Sequence, residues 1–173
     1  MQKAIITGAV AIALGAIASF AAGGGTMKIT SSAFSEGGTI PDKYAKQGQN
    51  VNPPLRIEGV PAEAKSLLLI VDDPDAPVGL FTHWLCWNID PKTTEVAENS
   101  VPKGGVQGTN DYPGSGYDGP QPPSGTHRYY FKIYALDTIL DLKAGAKRKE
   151  VDAAMKGHAI AEGQLMGRYS HKK

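Results

Sequence analysis

The sequence predicts a mostly β domain with one or two peripheral helices. Three apolar runs of strand length, Leu67–Val71, Thr82–Ile89 and His127–Leu136, are separated by segments rich in glycine and proline. Apolar residues repeat with a helical period only near the C-terminus. Strands do not alternate with helices along the chain, which argues against a parallel α/β sheet.

Composition indicates one globular domain. The 173 residues are 41% hydrophobic and 20% charged, with a formal net charge of +1. A domain of this size buries enough surface to fold without disulfides, and Cys86 is the only cysteine. Because Cys86 lies between bulky apolar residues, we interpret it as an inert core thiol. Scattered lysines and arginines argue against a nucleic-acid partner.

The first 26 residues differ from the rest. An apolar run from Ala4 to Ala18 follows a single lysine, and the small residues Ser19 and Ala21 have the spacing that suits signal-peptide cleavage. We predict a signal peptide over residues 1–22, with cleavage near Ala21 or Ala22. The protein would then be periplasmic or secreted.

The remainder, residues 27–173, is predicted to form a single domain. Two alternatives to export stay open. The apolar segment 4–22 is close to the length of a membrane span, about 20 residues, and could be retained as an anchor. Translation could instead start at Met27, which would leave the protein in the cytoplasm.

The first half of the domain predicts a loop followed by two strands. Residues 37–55 are crowded with glycine, proline and asparagine, which is typical of irregular structure. Leu55–Val60 predicts a brief strand, followed by a turn at residues 61–64. The run Leu67–Val71 is apolar without alternation, so we expect a central strand that is covered on both faces.

The next strand, Thr82–Ile89, is also predicted to be interior. Alternation places one set of side chains on one face, namely His83, Leu85, Trp87 and Ile89. The other face receives Thr82, Trp84, Cys86 and Asn88. Both sets are mostly apolar, so neither face should meet solvent.

The second half predicts a long loop, a strand, a helix and a last strand. Residues 102–125 hold too many glycines and prolines for regular structure, and a loop this long usually has a function. In the strand His127–Leu136, one face carries His127, Tyr129, Phe131 and Ile133. Helical spacing links Val151, Ala154, Met155 and His158, with Gly157 or Gly163 ending the helix. A final strand is expected over Gly163–Tyr169.

The candidate binding site is organised around the segment from Asp72 to Trp84, which leaves one predicted strand and feeds the next. His83 and His127 each stand at the start of an interior strand. If those strands paired directly, both imidazoles would meet at one rim. Asp73 or Asp75 would then accept a proton from one imidazole nitrogen and fix its tautomer.

Such a rim would suit a small anion. A carboxylate that keeps a histidine protonated would let the anion meet an imidazolium and N–H groups of a glycine-rich loop. Tyr129 would add an aromatic wall and a hydroxyl.

Other chemistries are less well supported. The segment from Gly114 to Gly119 spells a dinucleotide-binding fingerprint, but prolines follow where a helix is needed. Ser115 and Ser124 resemble turn residues more than nucleophiles, and the usual hydrolase and nucleotide motifs are missing. We therefore expect no enzymatic activity and no cofactor, although a weak hydrolase with His83 or His127 as the base is an alternative.

A metal site is also less favoured. The aspartates around Asp73 with the two histidines could offer oxygen and imidazole ligands, but the calcium-loop pattern of an EF-hand is absent. We predict no metal site. In the plainest interpretation, the aspartates cap turns and the histidines are satisfied core groups.

The motifs DDPDAP, THW and GYDGPQPPSGTHRYYFKIYALD resemble the phosphatidylethanolamine-binding protein family, in particular its bacterial and archaeal Raf-kinase-inhibitor-like branch. MKITSSAF, NVNPPL and MKGHAIAEGQLMGRY extend the resemblance from about Met27 to Tyr169. It implies a β-sandwich of antiparallel sheets with peripheral helices. The ligands that it implies are phosphate-like anions and phospholipid head groups, and the pocket residues are Asp73, Asp75, His83, Gly119, Pro122, Pro123, His127 and Tyr129.

The resemblance also implies a second possible function, because family members inhibit kinases or proteases by protein contact. Two departures matter here. Residues 45–48 read AKQG where TCDG is expected, and the stretch between Asp75 and His83 is shorter than in the animal proteins, which argues against an animal-type kinase contact. The sequence leaves the physiological ligand, any protein partner and the oligomeric state open.

Overall fold

A computed structural model describes residues 25–171, which contain nine strands, one α-helix and one short 3₁₀ helix. The predicted leader, with its cleavage point near Ala21 or Ala22, lies outside the described residues. None of the described helices has the length and hydropathy of a transmembrane segment. In chain order the elements are β1 Gly25–Thr26, β2 Lys28–Thr30, the 3₁₀ helix Asp42–Tyr44, β3 Leu55–Glu58, β4 Ser66–Asp73, β5 Phe81–Ile89, β6 Glu95–Val96, β7 Val106–Gln107, β8 Thr126–Leu136, α1 Arg148–Met155 and β9 Ala159–Ser170.

The strands form two sheets. The larger sheet has the order β1-β9-β8-β4-β5-β7, and the smaller has the order β2-β3-β6. Among the described residues, β1 and β9 are the only parallel pair of strands. The prediction of a mostly β sandwich of antiparallel sheets with a peripheral helix is confirmed.

Strand β4 lies at the centre of the larger sheet, and all eight of its residues are buried. Leu69 and Val71 pack between the two sheets, in a cluster that includes Ile57 from β3. On the opposite face, Ile70 packs in a cluster with Val151 of α1. Because both faces of β4 are covered, its sequence is apolar without alternation, as predicted.

Strand β5 departs from the predicted alternation near its start. Val71 pairs with Trp84 and the next residue of β4, Asp72, pairs with Thr82, so His83 has no partner on β4. This is a β-bulge, which inserts one extra residue and re-aims the neighbouring side chains. His83 consequently contacts Tyr129, on the same side of the sheet as Trp84.

A second irregularity lies near the other end of β5, where Leu67 pairs with Ile89 and Leu69 with Cys86. Ile89 joins Trp84 and Cys86 between the sheets, whereas Leu85 and Trp87 face α1. The predicted grouping of His83 and Ile89 with Leu85 and Trp87 was therefore wrong, because each irregularity shifts the alternation by one residue.

The C-terminal elements follow the prediction with shifted ends. Helix α1 ends at Met155, and His158 lies in the turn that follows, where Gly157 has φ of 81°. The last strand begins at Ala159 rather than Gly163, because Ala159 still pairs with Leu136 at the end of β8. The buried side chains of β8 alternate as predicted, from His127 to Ile133.

Candidate functional site

The two histidines lie at the same end of the larger sheet, with β4 between their strands. Direct pairing of β5 with β8, the condition considered for a shared rim, therefore does not occur. Asp72 pairs with Thr82 of β5 on one side and with Tyr130 of β8 on the other. This register brings the starts of β5 and β8 to the end of β4, so the strand with the acidic residues links the two imidazoles.

Asp73, the last residue of β4, fixes the position of His127. The Nδ1–H of His127 donates to Asp73 Oδ2 at 2.7 Å, and the two side chains are 8% and 4% exposed. This contact realises one of the two carboxylate partners predicted from sequence. It leaves the Nε2 atom of His127 without a hydrogen bond to any residue from 25 to 171.

His83 is held by a backbone carbonyl instead of a carboxylate. Its Nδ1 lies 2.7 Å from the carbonyl oxygen of Asp118, and its own carbonyl accepts a hydrogen bond from the Asp118 N–H at 3.0 Å. A carbonyl oxygen only accepts, so Nδ1 carries the proton. In the described part of the chain, Nε2 of His83 also has no hydrogen-bond partner.

Burial lowers the pKa of His83 below its ordinary value of 6.5, although the Asp118 carbonyl and the nearby aspartates oppose this shift. His83 is therefore neutral near pH 7, and its Nε2 is an acceptor. The imidazolium expected from sequence is not favoured at this position.

Tyr129 completes the group. Its ring packs edge-on against His83, with centroids 5.2 Å apart, and the residue is 1% exposed. The hydroxyl makes no well-formed hydrogen bond within the described residues, and it lies near the Asp73 carboxylate and the backbone of Gln121. Burial and the negative charge of Asp73 raise its pKa, so the hydroxyl is protonated and able to donate.

Tyr112 and Lys46 belong to the site, although the sequence did not identify them. The Tyr112 ring packs on both Phe81 and His83, with centroids 4.8 and 5.6 Å away, and so covers His83, which is 2% exposed. The Lys46 ammonium lies 4.1 Å from the centroid of the Tyr112 ring. Lys46 lies in the AKQG segment, residues 45–48, which differs from the TCDG expected from the family resemblance. That difference is the one sequence feature that singled out this segment.

Asp118 holds the long loop, residues 102–125, next to Lys46 and β5. Its carboxylate forms an ion pair with Lys46 and accepts hydrogen bonds from Asn50 and Asn110, both at 2.9 Å. Burial alone would raise the pKa of Asp118, but these three donors outweigh it and keep the pKa below its ordinary value. Asp118 therefore remains ionised and holds the loop against β5.

The other loop residues predicted for the site have different surroundings. Gly119 is buried, and its N–H donates to Asn50 Oδ1 at 2.8 Å, so it is not the free donor that was expected for an anion. The carbonyl of Pro122 accepts from His171 Nδ1 at 3.0 Å, and Pro123 is exposed.

Asp75 pairs with an arginine rather than with an imidazole. Its carboxylate receives the Arg128 side chain at 2.9 Å from Nε and 2.6 Å from a terminal nitrogen. These hydrogen bonds lower the pKa of Asp75 to about 2. Of the two aspartates offered as partners of an imidazole, Asp73 takes that role, and Asp75 pairs with Arg128.

An open cleft of about 670 Å³, here called the outer cleft, borders the site. Its lining consists of Asp75, Ser124, Gly125, Thr126, His127, Arg128 and Arg168.

Elsewhere, the free thiol of Cys86 is buried between the sheets, which raises its pKa to about 12, so its interpretation as an inert core residue is supported. Residues 25–171 contain no group of three or more His, Cys, Asp or Glu side chains arranged to hold a metal ion.

Comparison with known proteins agrees with this architecture. The family model for phosphatidylethanolamine-binding protein matches residues 30–170. A UPF0098 protein from Methanothermobacter thermautotrophicus is 51% identical over 148 residues, which is 83% of this chain and 98% of that protein.

Two solved structures are similar over most of the chain. CT736 from Chlamydia trachomatis, described as a homolog of phosphatidylethanolamine-binding protein, has 45% identity and a TM-score of 0.81, covering 85% of this chain and 99% of that one. Escherichia coli YbcL, described as a member of the mammalian family, has 29% identity and a TM-score of 0.80, covering 86% and 100%.

Proposed function

The chain belongs to the phosphatidylethanolamine-binding protein family, and from this premise we propose that it is a non-enzymatic binding protein for a phosphate-bearing ligand. The ligand would be a small anion or a phospholipid head group, held beside His83, His127 and Tyr129. Membership of a family of binding proteins supports the general function. The residues of the site support the choice of ligand.

The unpartnered hydroxyl of Tyr129 is the observation that carries the proposal. A buried polar group without a hydrogen bond costs free energy, and in a native structure it calls for an explanation. Here the hydroxyl lies beside an imidazole whose Nε2 is also unpaired within the described chain. A ligand with oxygen acceptors and an O–H donor would satisfy both groups.

A phosphate group has this chemistry. One oxygen would accept from the Tyr129 hydroxyl. The neutral Nε2 of His83 would accept from a protonated oxygen of inorganic phosphate or a phosphomonoester, or from the ammonium group of a phosphoethanolamine head group. The carboxylate of Asp73 is already hydrogen-bonded to His127, which reduces its repulsion of an anion. Because the Tyr112 ring covers His83, a ligand that reaches the His83 ring would also contact Tyr112.

The test is a calorimetric titration of phosphoethanolamine and of inorganic phosphate into the wild type and into Tyr129→Phe. This substitution removes one oxygen atom. We expect affinity to fall about three- to tenfold, since a net hydrogen bond is worth about 0.5–1.5 kcal/mol. The ligand-free variant should be as stable as the wild type or more stable, because the hydroxyl that it loses has no partner.

Tyr134→Phe is the matched control, because Tyr134 lies on the opposite face of β8. Its affinity should equal that of the wild type. Unchanged phosphate binding in Tyr129→Phe, or equal losses in both variants, would remove the proposal.

The proposal also predicts a pH dependence. Since the pKa of His83 is lowered from 6.5, the ring gains its proton only below that pH, and the imidazolium then attracts anions more strongly. Binding of sulfate, whose charge does not change in this range, should strengthen as the pH falls below 6.5. His83→Gln should abolish the dependence, and a flat wild-type profile would contradict this mechanism.

A further inference from the structure

A second polar surface lies on the opposite face of β8 from His127 and Tyr129. Side chains alternate along a strand, so Thr126 and Arg128 belong to this outer face. On β9, Ser170 lies directly opposite Thr126, and Arg168 lies directly opposite Arg128. All but Ser170 line the outer cleft.

The pairing of two arginines across strands needs an explanation, because like charges directly opposite each other destabilise a sheet. Asp75 compensates only one of them, since its two oxygens accept from the Arg128 side chain. The Arg168 side chain makes no hydrogen bond or ion pair with any residue from 25 to 171. One guanidinium on this face is thus left without a carboxylate from the described chain.

The backbone of Arg168 and the side chain of Arg128 are both fixed by hydrogen bonds. The Arg168 N–H donates to the Gly38 carbonyl, and its carbonyl accepts from the Ile40 N–H, both at 2.8 Å, so the segment on the far side of β9 fixes its backbone. Asp75 fixes the guanidinium of Arg128. A ligand bound between them would have to order the side chain of Arg168 but not the backbone or the Arg128 side chain, and this partial preorganisation favours affinity.

We propose that Arg168 and Arg128 form a second anion-binding site, in the outer cleft, that takes a phosphate group. The planar fork of a guanidinium matches two oxygens of a phosphate, and Arg168 has all of its donors available for this purpose. The hydroxyls of Thr126 and Ser170, 2.8 Å apart, add donors at the edge. The phosphate could be free or part of a lipid head group.

The test measures phosphate binding by two-dimensional NMR and vesicle binding by co-sedimentation. The variants are Arg168→Gln and the matched control Arg56→Gln, an equal change of charge on β3 of the smaller sheet. In the wild type we expect phosphate to shift the backbone signals of Gly125, Thr126 and Ser170. Arg168→Gln should weaken that response at least about tenfold, the scale of hydrogen bonds to charged groups, and Arg56→Gln should not.

The vesicle arm separates the two sources of phosphate. Binding to phosphatidylcholine vesicles that contain phosphatidylglycerol, lost in Arg168→Gln, identifies a lipid head group, whereas a response to inorganic phosphate alone identifies a free anion. His83→Gln should leave the outer cleft responsive, so failure of this proposal is distinguishable from failure of the proposed function. Equal binding by wild type and Arg168→Gln in both arms, or equal losses in the two arginine variants, overturns the second site.

Discussion

At the scale of single residues, His83 combines burial with a titratable ring. The folded protein resists protonation of His83 because the ring is buried, whereas the unfolded chain accepts the proton at the ordinary pKa. The unfolded state therefore binds more protons than the folded state once the pH falls below 6.5. Stability contributed by the neutral ring is present above 6.5 and is lost as the pH falls.

We predict that His83→Gln reduces the loss of unfolding free energy that occurs as the pH falls. Urea unfolding of the wild type and the variant at pH 7.5 and at pH 5 measures it. The difference in the free energy of unfolding between the two pH values should be smaller in the variant. Equal differences in both proteins would contradict the assignment, because the carboxylates that also titrate are common to both.

Gly119 lies where a side chain has no room. A Cβ atom at this position would lie 2.0 Å from the Tyr44 carbonyl oxygen and 2.9 Å from the Ala45 Cα. We predict that Gly119→Ala destabilises the fold by about 1–3 kcal/mol, the usual cost of overpacking, and weakens phosphate binding by moving the loop. Gly25→Ala is the control, since its Cβ would meet Ala161 at an ordinary 3.6 Å; equal unfolding midpoints for the two variants would contradict the prediction.

At the scale of elements, α1 is attached to the sheet through a buried charge. The carboxylate of Asp72 on β4 is fully buried and lies 2.5 Å from an Arg148 terminal nitrogen and 3.0 Å from Lys132 Nζ. Arg148 opens α1, so this group of charges joins the helix to β4 and β8. Removing one member of such a buried group leaves the others uncompensated.

We predict that Asp72→Asn lowers the free energy of unfolding by about 3–5 kcal/mol. Lys28→Gln provides the contrast, because it removes an exposed ion pair with Glu58, of a kind worth about 0–1 kcal/mol. Chemical denaturation measures both. A loss in Asp72→Asn no larger than in Lys28→Gln would show that α1 is held by its apolar contacts alone.

The elements also show which sequence signals are reliable. Strand β4 was predictable because burial on both faces produces an unbroken apolar run. The bulge at His83 was not, because an inserted residue leaves the composition of the strand unchanged while it shifts the register. Strands β6 and β7 have two residues each, too few to show a period.

At the scale of the whole molecule, the sequence predicted the sandwich and part of the site. The position of Tyr129 on the face of His127 followed from strand alternation. The sequence offered Asp73 or Asp75 as the partner of an imidazole, and Asp73 is the one that bonds to His127. Tyr112 contacts His83, and Lys46 contacts Tyr112 from a separate loop. Loop positions have no period from which a direction could be inferred. The pairing of Asp75 with Arg128 was not predicted, because the two residues lie 53 positions apart in the chain.

The central pairing of the larger sheet has a kinetic consequence. Ser66 of β4 pairs with Leu136 of β8, and the segment that connects the paired strands β8 and β9 contains α1. The chain must close the loop between Ser66 and Leu136, and the connection that contains α1, before most strand pairs can form. It therefore loses entropy before it gains contacts. We therefore expect this molecule to acquire its native state in milliseconds to seconds, more slowly than a helical bundle of equal length.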